Sequence, residues 1–506
     1  MLALGWCFDS LKIIDKLLAL TRWLEEQQIR CVWVTRGRET QCALAMAGVT
    51  THAVEDFLPQ WPEVAAAADL DNEALARCEN YDRLAQRRII ALPVSEADYP
   101  RENARFCAGL WRILFSHYRP NLILNLNGQP CIARSMAELA ERDGVPLLWW
   151  ENGLVPETLV LDPKGVNYGA HLSGQGWNQL EPAAITAAQR DALHTWRETL
   201  IGSGTTLVEK GQPIGAEQLR RRLKIAPGAR AVLVPLQVDS DTNIVLHSPL
   251  FKSMQTFVSA VQQAAASVPG TVLLIKDHPK RAPQGDPQIE QMLGSNARYV
   301  HDLHLPSLLA ISDRVVCINT TVGIEALIQR LPVLAYGRSA YSEKGLTQDL
   351  YLEKDPAAAL KHYLTAPAES IVPDQEALER FLVYLLRHHL WPVAGENRLG
   401  TRDAYLQQIQ SLLATPAPQL CGGENRLDPL HGCLQPGVEL VRRFQRLRQH
   451  SRGVMVVRGS TASGAARLVA ERIQQGCPQL HVRGETSLWR RLNPFVQQPV
   501  DVLDLR

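Results

Sequence analysis

Three polar clusters in the second half of the chain each follow a short apolar run, and the first cluster carries two carboxylates. Gln237, Asp239 and Asp241 come directly after the apolar run 231–236. A carboxylate at the C-terminal end of a buried strand faces the ligand side of a parallel sheet. There it can attack an electrophilic carbon or move a proton. Loop aspartates that cap the following turn produce the same pattern, so both interpretations stay open.

The second cluster has the residue types that bind phosphate. Lys276 and His278 follow the apolar run 271–275, and Pro279 fixes the turn after them. A lysine and a histidine two residues apart can hold phosphate oxygens by charge-assisted hydrogen bonds. A surface histidine without a ligand is equally consistent with the sequence.

The third cluster places hydroxyls in front of a predicted helix. Thr320 and Thr321 follow an apolar strand, and the helix is predicted to begin near Val322. A helix N-terminus preceded by hydroxyls suits a nucleotide phosphate. Glu325, in the first turn or so of that helix, could accept hydrogen bonds from ribose hydroxyls. Complementing the helix dipole would also explain it.

The elements that must position these clusters are predicted to form an α/β fold, because short apolar runs alternate with longer amphipathic segments. Strands are predicted within 1–6, 29–35, 88–94, 120–128, 145–153, 229–237, 270–279, 297–303, 313–321 and 331–337. Helices are predicted within 11–28, 131–144, 181–201, 249–268, 306–313, 321–330 and 375–392. Open parallel sheets bind ligands beyond their strand C-termini, which is where the three clusters lie.

The alternation predicts two Rossmann-like domains that face a central cleft, followed by a small basic region. The predicted boundaries are 1–175 for an N-terminal acceptor domain, 176–225 for a helical connector, 226–413 for a donor domain with trailing helices, 414–435 for a Pro/Gly-rich linker and 436–506 for a basic α/β region.

The last 71 residues differ in charge from the rest of the chain. Residues 436–506 contain twelve arginines, no lysine and five acidic residues, and we interpret them as a truncated third domain. The run GSTASG at 459–464 lacks the GK[ST] ending of a phosphate loop, so a strand-to-helix turn is the better interpretation. The arginine-rich segment 442–448 is either a solvated helix face or a contact for anionic lipid or a partner.

Composition excludes several classes of protein. The chain of 506 residues has 53 Lys+Arg and 52 Asp+Glu, a net charge of +1, which excludes a binder of nucleic acid that depends on global positive charge. The ten cysteines form no CxxC pair and no metal-ligand spacing, so buried free thiols in a reducing compartment are expected. No segment reaches the ~18 apolar residues that span a bilayer. A cytoplasmic protein, with at most peripheral contact at the inner membrane, is expected.

An ordered set of motifs across roughly residues 120–350 resembles one family. The set is WENG-x7-LDPKGVN, PLQ-x3-D-x2-I, KDHP, INTTVGIEAL and AYGRSAYSEKGLTQD. It resembles the bacterial capsule and lipopolysaccharide β-Kdo transferases, which transfer 3-deoxy-D-manno-oct-2-ulosonic acid (Kdo) from CMP-Kdo. The resemblance implies a retaining, metal-independent glycosyltransferase with a GT-B-like fold, acting by double displacement through a covalent sugar ester on a carboxylate.

The resemblance also implies roles for individual residues. Asp241 matches the family's carboxylate nucleophile, with Asp239 as the reserve choice and Gln237 as its partner at fixed spacing. Glu151 matches an acidic residue that serves as general base for the acceptor hydroxyl or in a proton shuttle, although a structural carboxylate is the alternative. The positions that match CMP binding are Lys276, His278, Thr320, Thr321 and Glu325.

Further candidates lie in two loops. Tyr341, Lys344 and Gly345 match a family loop beside the donor, but bulkier aromatic residues expected there are absent. Asn127 and Arg134, together with Asn125, could meet the acceptor or the Kdo carboxylate. An ordinary Asn-Gly turn and a helix-surface arginine explain the latter group as well.

No cofactor and no metal are expected, because CMP carries one phosphate that a lysine and a histidine could stabilise. The triplet Asp239-Ser240-Asp241 is formally a DxD motif, and its flanking residues fit the family better than a metal site. The expected partners are CMP-Kdo and a glycan or glycolipid acceptor. The alternatives are a transferase for another sugar nucleotide and a non-catalytic scaffold that binds glycan or nucleotide.

Overall fold

The structure is a computed structural model that describes residues 1–8, 10, 13–182, 184–207, 211–281, 285–414, 433–435, 440, 453–458, 480–485 and 500–504. The chain divides into two compact units. The first contains residues 1–82, 88–148 and 409–506, and the second contains residues 83–87 and 149–408.

The first unit is built around a buried parallel sheet. Its strands are β1 (Leu2–Cys7), β2 (Arg30–Thr35), β3 (Thr50–Ala53), β4 (Leu122–Leu126) and the start of β5 (Leu147–Asn152). The strand order is β5-β4-β1-β2-β3. Leu4 of β1 pairs with Val32 on one side and Ile123 on the other, both in parallel. All six residues of β1 are buried, as expected for a central strand covered on both faces.

Helices alternate with these strands. They are α1 (Ile14–Glu26), α2 (Arg38–Met46), α3 (Trp61–Ala66), α4 (Asn72–Leu84), α5 (Tyr99–Tyr118) and α6 (Cys131–Arg142). Within α5, Gly109 lies against the backbone of Val64 in α3, where an added Cβ would come within 1.7 Å of the Val64 carbonyl oxygen. The glycine therefore permits these two helices to pack backbone to backbone.

The second unit contains a small antiparallel ladder. The end of β5 pairs with β6 (Thr158–Asp162), and β6 pairs with β13 (Leu390–Pro392), both antiparallel. Glu151 lies opposite Val160 in this ladder. Three helices follow β6: α7 (Trp177–Leu180), α8 (Ala187–Ser203) and α9 (Ala216–Arg222). The α8 helix begins with a capping box in which the Thr186 and Gln189 side chains each bind the other's backbone N–H.

The main sheet of the second unit has six parallel strands in the order β12-β11-β10-β7-β8-β9. They are β7 (Arg230–Pro235), β8 (Thr271–Lys276), β9 (Ala297–Val300), β10 (Arg314–Cys317), β11 (Val333–Ala335) and β12 (Gln348–Asp349). The helices between and after them are α10 (Thr242–His247), α11 (Met254–Ala266), α12 (Pro287–Gln291), α13 (Leu305–Ala310), α14 (Val322–Ile328) and α15 (Pro356–Thr365).

One hydrophobic core holds this sheet against its helices. Val232, Ile275 and Val316, from three adjacent strands, pack in a cluster with Phe257 of α11 and Leu360 of α15. After α15 come α16 (Gln375–Tyr384), a π turn at Leu385–His389 and α17 (Asp403–Leu413). The unit therefore presents the C-terminal ends of β7, β8 and β10 at one edge of a rigid sheet.

The α/β prediction is confirmed, and nine of the ten predicted strands are present. The predicted strand at 88–94 is wrong: this segment has no strand pairing. The Tyr99 hydroxyl donates to the Ile90 carbonyl and accepts from the Ile90 N–H, at 2.8 and 3.2 Å. A side chain thus satisfies the backbone groups that a neighbouring strand would otherwise bind.

The division into units differs from the predicted boundaries. Residues 149–175 fall in the second unit, whereas the sequence predicted an N-terminal domain that ends at 175. The cause is β6, which pairs with the end of β5 and with β13. The predicted linker at 414–435 lies almost wholly outside the described residues.

In the basic C-terminal region, three strands are described: β14 (Gly453–Arg458), β15 (Leu480–Glu485) and β16 (Val500–Asp504). They form a parallel sheet in the order β15-β14-β16. The GSTASG run and the arginines at 442–448 lie outside the described residues. Eight of the ten cysteines are described, and all eight are buried free thiols, as predicted. In the described part of the chain, no helix combines the length and hydropathy needed to cross a membrane.

Candidate active site

The ends of β8 and β10 and the start of α14 line an open pocket in the second unit, with about 530 Å³ of space that includes its open mouth. Its lining includes all five residues that the family resemblance assigned to nucleotide binding: Lys276, His278, Thr320, Thr321 and Glu325. The remaining lining residues are Thr206, Leu207, Pro235, Leu236, Asp277, Pro279, Leu303, Leu305 and Val322. The structure therefore brings the second and third sequence clusters together at one site.

Lys276 and His278 contribute different hydrogen-bond donors to this pocket. Lys276 is 6% exposed, and its Nζ donates to the carbonyl oxygens of Asp277 and His301 at 3.0 and 3.3 Å. The backbone N–H of Lys280 donates to His278 Nδ1 over 3.1 Å, which assigns the ring proton to Nε2. Burial lowers the pKa of His278 to about 4. Where the sequence predicted two charged donors, the folded chain offers an ammonium and a neutral imidazole N–H.

A buried carboxylate fixes the loop that carries His278. Asp277 is 1% exposed and accepts from the backbone N–H of His278 at 2.7 Å. Its other oxygen accepts from the Tyr299 hydroxyl at 2.5 Å and from Arg281 Nη1 at 3.0 Å. Because Asp277 is buried and already accepts three hydrogen bonds from its own loop and from Tyr299, its role is to hold the loop.

Tyr341 supports the hydroxyl cluster from below. Its hydroxyl donates to the Thr320 carbonyl oxygen at 2.8 Å, and the side chain is 2% exposed. An added Cβ at Gly323 would lie 2.4 Å from that hydroxyl oxygen, so the glycine lets the helix start directly over the ring. The sequence placed Tyr341 beside the donor; the structure buries it beneath the Thr320–Thr321 turn.

Glu325 points into the same pocket from α14. One carboxylate oxygen accepts from the Thr206 hydroxyl at 2.6 Å. Burial raises the pKa of Glu325 to about 7, and the Thr206 hydrogen bond opposes that shift. A carboxyl group that titrates near neutrality can accept from or donate to a ligand hydroxyl. Thr206, from the loop after α8, is a pocket residue that sequence reasoning missed because no motif surrounds it.

Gln237 and Asn319 form a reciprocal pair across the ends of β7 and β10. Gln237 Nε2 donates to Asn319 Oδ1 at 3.1 Å, and the Asn319 N–H donates to Gln237 Oε1 at 3.3 Å. Asn319 Nδ2 also donates to the carbonyl oxygens of Asn243 and Arg338, at 2.9 and 3.2 Å. Asn319 thereby joins the turn that carries Asp241 to the segment that carries Thr320.

Asp241 caps α10, which was the alternative that the sequence left open. Its side chain accepts from the Asn243 N–H at 2.8 Å, while the residue keeps contact with solvent. The surrounding protein atoms raise the pKa of the Asp241 carboxyl, and the hydrogen bond from Asn243 opposes that shift. The capping interpretation of Asp241 is therefore confirmed.

Asp239 has one hydrogen-bonded oxygen and one oxygen that faces a guanidinium at ion-pair distance. Oδ1 accepts from the Met254 N–H at the start of α11 at 2.6 Å, and Oδ2 lies 3.6 Å from Arg281 Nε. A nucleophile needs a free oxygen with a clear approach to carbon. The contacts of Asp239 therefore favour Asp241 over Asp239 for that role.

Glu151 and Lys344 occupy other parts of the second unit. Glu151, in β5, is half-buried and accepts from the backbone N–H of Asn152 at 2.9 Å. Lys344 donates to the Ser342 carbonyl at 3.2 Å, and burial lowers its pKa to about 8. Gly345 has a φ of +69°, so the loop takes a left-handed turn there. The described lining of the 530 Å³ pocket contains neither Glu151 nor Lys344.

The two candidates in the first unit have structural partners. Asn127 has a φ of +62° and is followed by Gly128 at +80°, which is a left-handed Asn-Gly turn. Arg134 donates through Nε and Nη2 to Glu138 Oε1, one helical turn along α6. Glu138 is buried and also binds Arg77. The guanidinium of Arg134 is thus held within an ion-pair network, which matches the helix-surface interpretation.

Part of the chain matches a known family model. Residues 187–363 match the model of the family described as capsule polysaccharide biosynthesis protein. Over 275 residues the chain is 30% identical to Protein FixF of Sinorhizobium fredii, covering 53% of this chain and 60% of that protein. It is 32% identical over 166 residues to the capsule polysaccharide export protein KpsS of Escherichia coli, covering 31% of this chain and 40% of that protein. The chain therefore spans less than two thirds of either relative.

Among solved structures, a similar one is the KpsC β-Kdo 2,4-transferase of Thermosulfurimonas dismutans. The identity is 19%, the TM-score is 0.38, and the match covers 52% of this chain and 79% of that one.

Proposed function

We propose that this chain is a glycosyltransferase, starting from the match of residues 187–363 to the capsule polysaccharide biosynthesis family. Its proposed reaction is the transfer of β-Kdo from CMP-Kdo to a surface-polysaccharide acceptor, with retention of configuration. The main observation that supports the proposal is that Lys276, His278, Thr320 and Glu325 line the same pocket.

The pocket has the donor set that a nucleoside monophosphate needs. The ammonium of Lys276 and the neutral Nε2–H of His278 supply donors for one phosphate group, and the hydroxyl of Thr320 adds another. Glu325 and Thr206 supply acceptors and a hydroxyl for a ribose. Since the leaving CMP carries a single phosphate, these residues can stabilise it without a divalent ion at this site.

The proposed chemistry has two displacements. In the first, the Asp241 carboxylate attacks the anomeric carbon of Kdo, the bond from that carbon to the phosphate oxygen breaks, and CMP leaves with the bonding electrons. In the second, Glu151 takes the proton of an acceptor hydroxyl while the hydroxyl oxygen attacks the same carbon. The ester bond to Asp241 breaks and the carboxylate is restored, so two inversions give net retention.

Asn319 supports this assignment by connecting the two parts of the site. It binds the carbonyl of Asn243, two residues after Asp241, and it immediately precedes Thr320. A nucleophile and a leaving-group pocket must keep a fixed separation for in-line attack. A shared amide between them meets that requirement.

The test is turnover with defined substrates. Full-length protein, CMP-Kdo and a glycan acceptor that ends in Kdo should release CMP, and a brief pulse of EDTA during the assay should leave the rate unchanged. Asp241→Asn should lose at least ~1,000-fold in turnover while still binding CMP, and Asp239→Asn should retain activity. Protein mass spectrometry should find a Kdo adduct on the peptide that contains Asp241. Full activity of Asp241→Asn would refute the nucleophile, and turnover of a UDP-sugar with no response to CMP-Kdo would refute the donor.

The same proposal places the protein on the cytoplasmic side of the inner membrane, where nucleotide sugars are made. Its acceptor would be a glycan or glycolipid at that surface. Anionic vesicles that bind the full chain, but not a chain with the arginines of 442–448 replaced by glutamine, would support contact through the basic region.

A further inference from the structure

Three side chains with metal-ligand chemistry meet in the second unit, among residues that the proposed reaction does not use. Asp162 ends β6, His171 lies in the following loop and His389 ends the π turn after α16. One potential ligand atom from each lies within 4.8 Å of the other two. More than 200 residues separate His171 from His389, so the fold rather than a local motif assembles this group.

The carboxylate of Asp162 is oriented by backbone donors. The residue is fully buried, and its Oδ1 accepts from the N–H groups of Lys164 and Gly165, at 2.8 and 3.2 Å. Its Oδ2 accepts from the N–H of His171 at 3.0 Å and also contacts His171 Nδ1. Oδ2 is therefore the oxygen that faces both imidazoles.

The two histidines complete the arrangement differently. His171 Nε2 lies 2.8 Å from the Tyr384 hydroxyl, so that nitrogen has an outer partner while Nδ1 faces Asp162. His389 Nδ1 lies 3.7 Å from Asp162 Oδ2, its side chain is 2% exposed, and that nitrogen has no hydrogen-bond partner among the described residues. A buried ring nitrogen without a partner, aimed at a carboxylate and a second imidazole, is an energetic cost that a bound cation would remove.

We propose that Asp162 Oδ2, His171 Nδ1 and His389 Nδ1 bind a divalent transition metal, with Zn²⁺ as the best match to two imidazoles and one carboxylate. Zn²⁺ takes such ligands at about 2.0–2.2 Å in a tetrahedron, with water in the remaining position. On binding, the ion replaces the proton shared by Asp162 and His171, the proton passes to solvent, and the two ligand atoms separate to about 3.3 Å.

The surroundings match those of known metal ligands. A ligating histidine usually donates its other N–H to an outer acceptor, and the Tyr384 hydroxyl occupies that position for His171. A ligating carboxylate is usually held through its second oxygen, and Lys164 and Gly165 hold Oδ1 of Asp162.

A metal here would stabilise the segment next to the proposed nucleophile without taking part in its chemistry. The ion would cross-link β6, the loop 163–171 and the turn after α16. That loop carries Asn167, whose Oδ1 accepts from Asn243 Nδ2 at 3.3 Å. The site is built from residues other than the Asp239-Ser240-Asp241 triplet.

The experiment measures metal binding to the full chain without any turnover assay. Protein freed of metal by a chelator is titrated with Co²⁺ and then with Zn²⁺. One equivalent of Co²⁺ should give visible absorption bands typical of four-coordinate cobalt, and Zn²⁺ should abolish them while raising the thermal midpoint. His389→Gln and His171→Gln should lose the bands, and the exposed neighbour His388→Gln should keep them. Tyr384→Phe should weaken binding by roughly 10- to 100-fold.

Two results would overturn the site. The first is wild-type protein that binds no equivalent of Co²⁺ or Zn²⁺ with these spectral and thermal changes. The second is unchanged binding by His389→Gln and His171→Gln. If those variants fail to fold, X-ray absorption of the Zn²⁺-loaded wild-type protein decides, because it must show two imidazoles and one carboxylate oxygen.

Discussion

Gln237 Nε2 donates to Asn319 Oδ1, the backbone N–H of Asn319 donates to Gln237 Oε1, and this pair joins the end of β7 to the end of β10. Asn319 also links the turn that carries Asp241 to the segment that carries Thr320. Its amide donates to Asn243 on one side and to Arg338 on the other. We therefore expect Asn319 to set the position of Asp241 relative to the pocket.

Asn319→Asp tests this positioning role, because it keeps the size and the acceptor oxygen but removes both donated hydrogen bonds. The carbonyls of Asn243 and Arg338 are only partly buried, so each lost hydrogen bond costs about 0.5–1.5 kcal/mol. We expect kcat for CMP-Kdo to fall at least ~10-fold while KM changes by less than about threefold, with a lower thermal midpoint. Gln237→Glu should change kcat in the same direction. A rise in KM alone would indicate that Asn319 binds substrate instead.

Most of the site and of the fold could be predicted because each depends on local patterns. An apolar run followed by Lys276 and His278, or by Thr320 and Thr321, already indicates a strand that ends in polar side chains. Parallel sheets bring such ends together, and the predicted resemblance to capsule polysaccharide proteins is confirmed over 187–363.

Features that depend on contacts between distant segments could not be predicted. Thr206 reaches Glu325 across 119 residues, and His389 reaches Asp162 across more than 200. The segment 88–94 has the composition of a strand, but the Tyr99 hydroxyl takes its backbone groups. Composition alone does not reveal which partner a backbone group will find.

Glu325 should make stability depend on pH. Its pKa is raised to about 7 in the folded protein, whereas an ordinary glutamate titrates near 4.5. The folded state therefore binds this proton more tightly than the unfolded chain. Below about pH 4.5, Glu325 is protonated in both states and does not change the free energy of unfolding. As the pH rises from 4.5 towards 7, its burial lowers the free energy of unfolding by up to about 3 kcal/mol, and the loss is constant above that pH.

Urea unfolding of wild-type protein and Glu325→Gln at pH 5 and pH 8 measures this cost. From pH 5 to pH 8, the free energy of unfolding of the wild type should fall relative to that of the variant, by up to about 3 kcal/mol. Glu353→Gln, which alters an exposed carboxyl in the same unit, should follow the wild type. Parallel pH curves for wild type and Glu325→Gln would show that Glu325 titrates normally.

His278 should bind CMP as a neutral donor. Burial lowers its pKa to about 4, and Nδ1 accepts from Lys280, so the ring presents Nε2–H to the pocket above that pH. His278→Ala should weaken CMP binding about 10-fold, and the ratio of its Kd to that of the wild type should stay nearly constant from pH 5.5 to pH 8. Calorimetry across that range measures the ratio. A ratio that grows several-fold below pH 6.5 would show that the histidine binds as a cation.

Gly323 should tolerate no side chain, since Tyr341 lies directly against it. A Cβ there would stand 2.4 Å from the Tyr341 hydroxyl oxygen and 2.5 Å from Cζ, and the ring is buried with its hydroxyl bound to Thr320. Gly323→Ala must displace either the ring or the start of α14, which costs about 1–3 kcal/mol, and the moved Thr320 should weaken CMP binding. Gly202→Ala in α8 is the matched control, because no atom lies within 4 Å of its Cβ and alanine favours a helix by up to about 1 kcal/mol. The thermal midpoint should therefore fall for Gly323→Ala and stay the same or rise for Gly202→Ala. Equal midpoints for Gly323→Ala and the wild type would mean that the close contact with Tyr341 relaxes without cost.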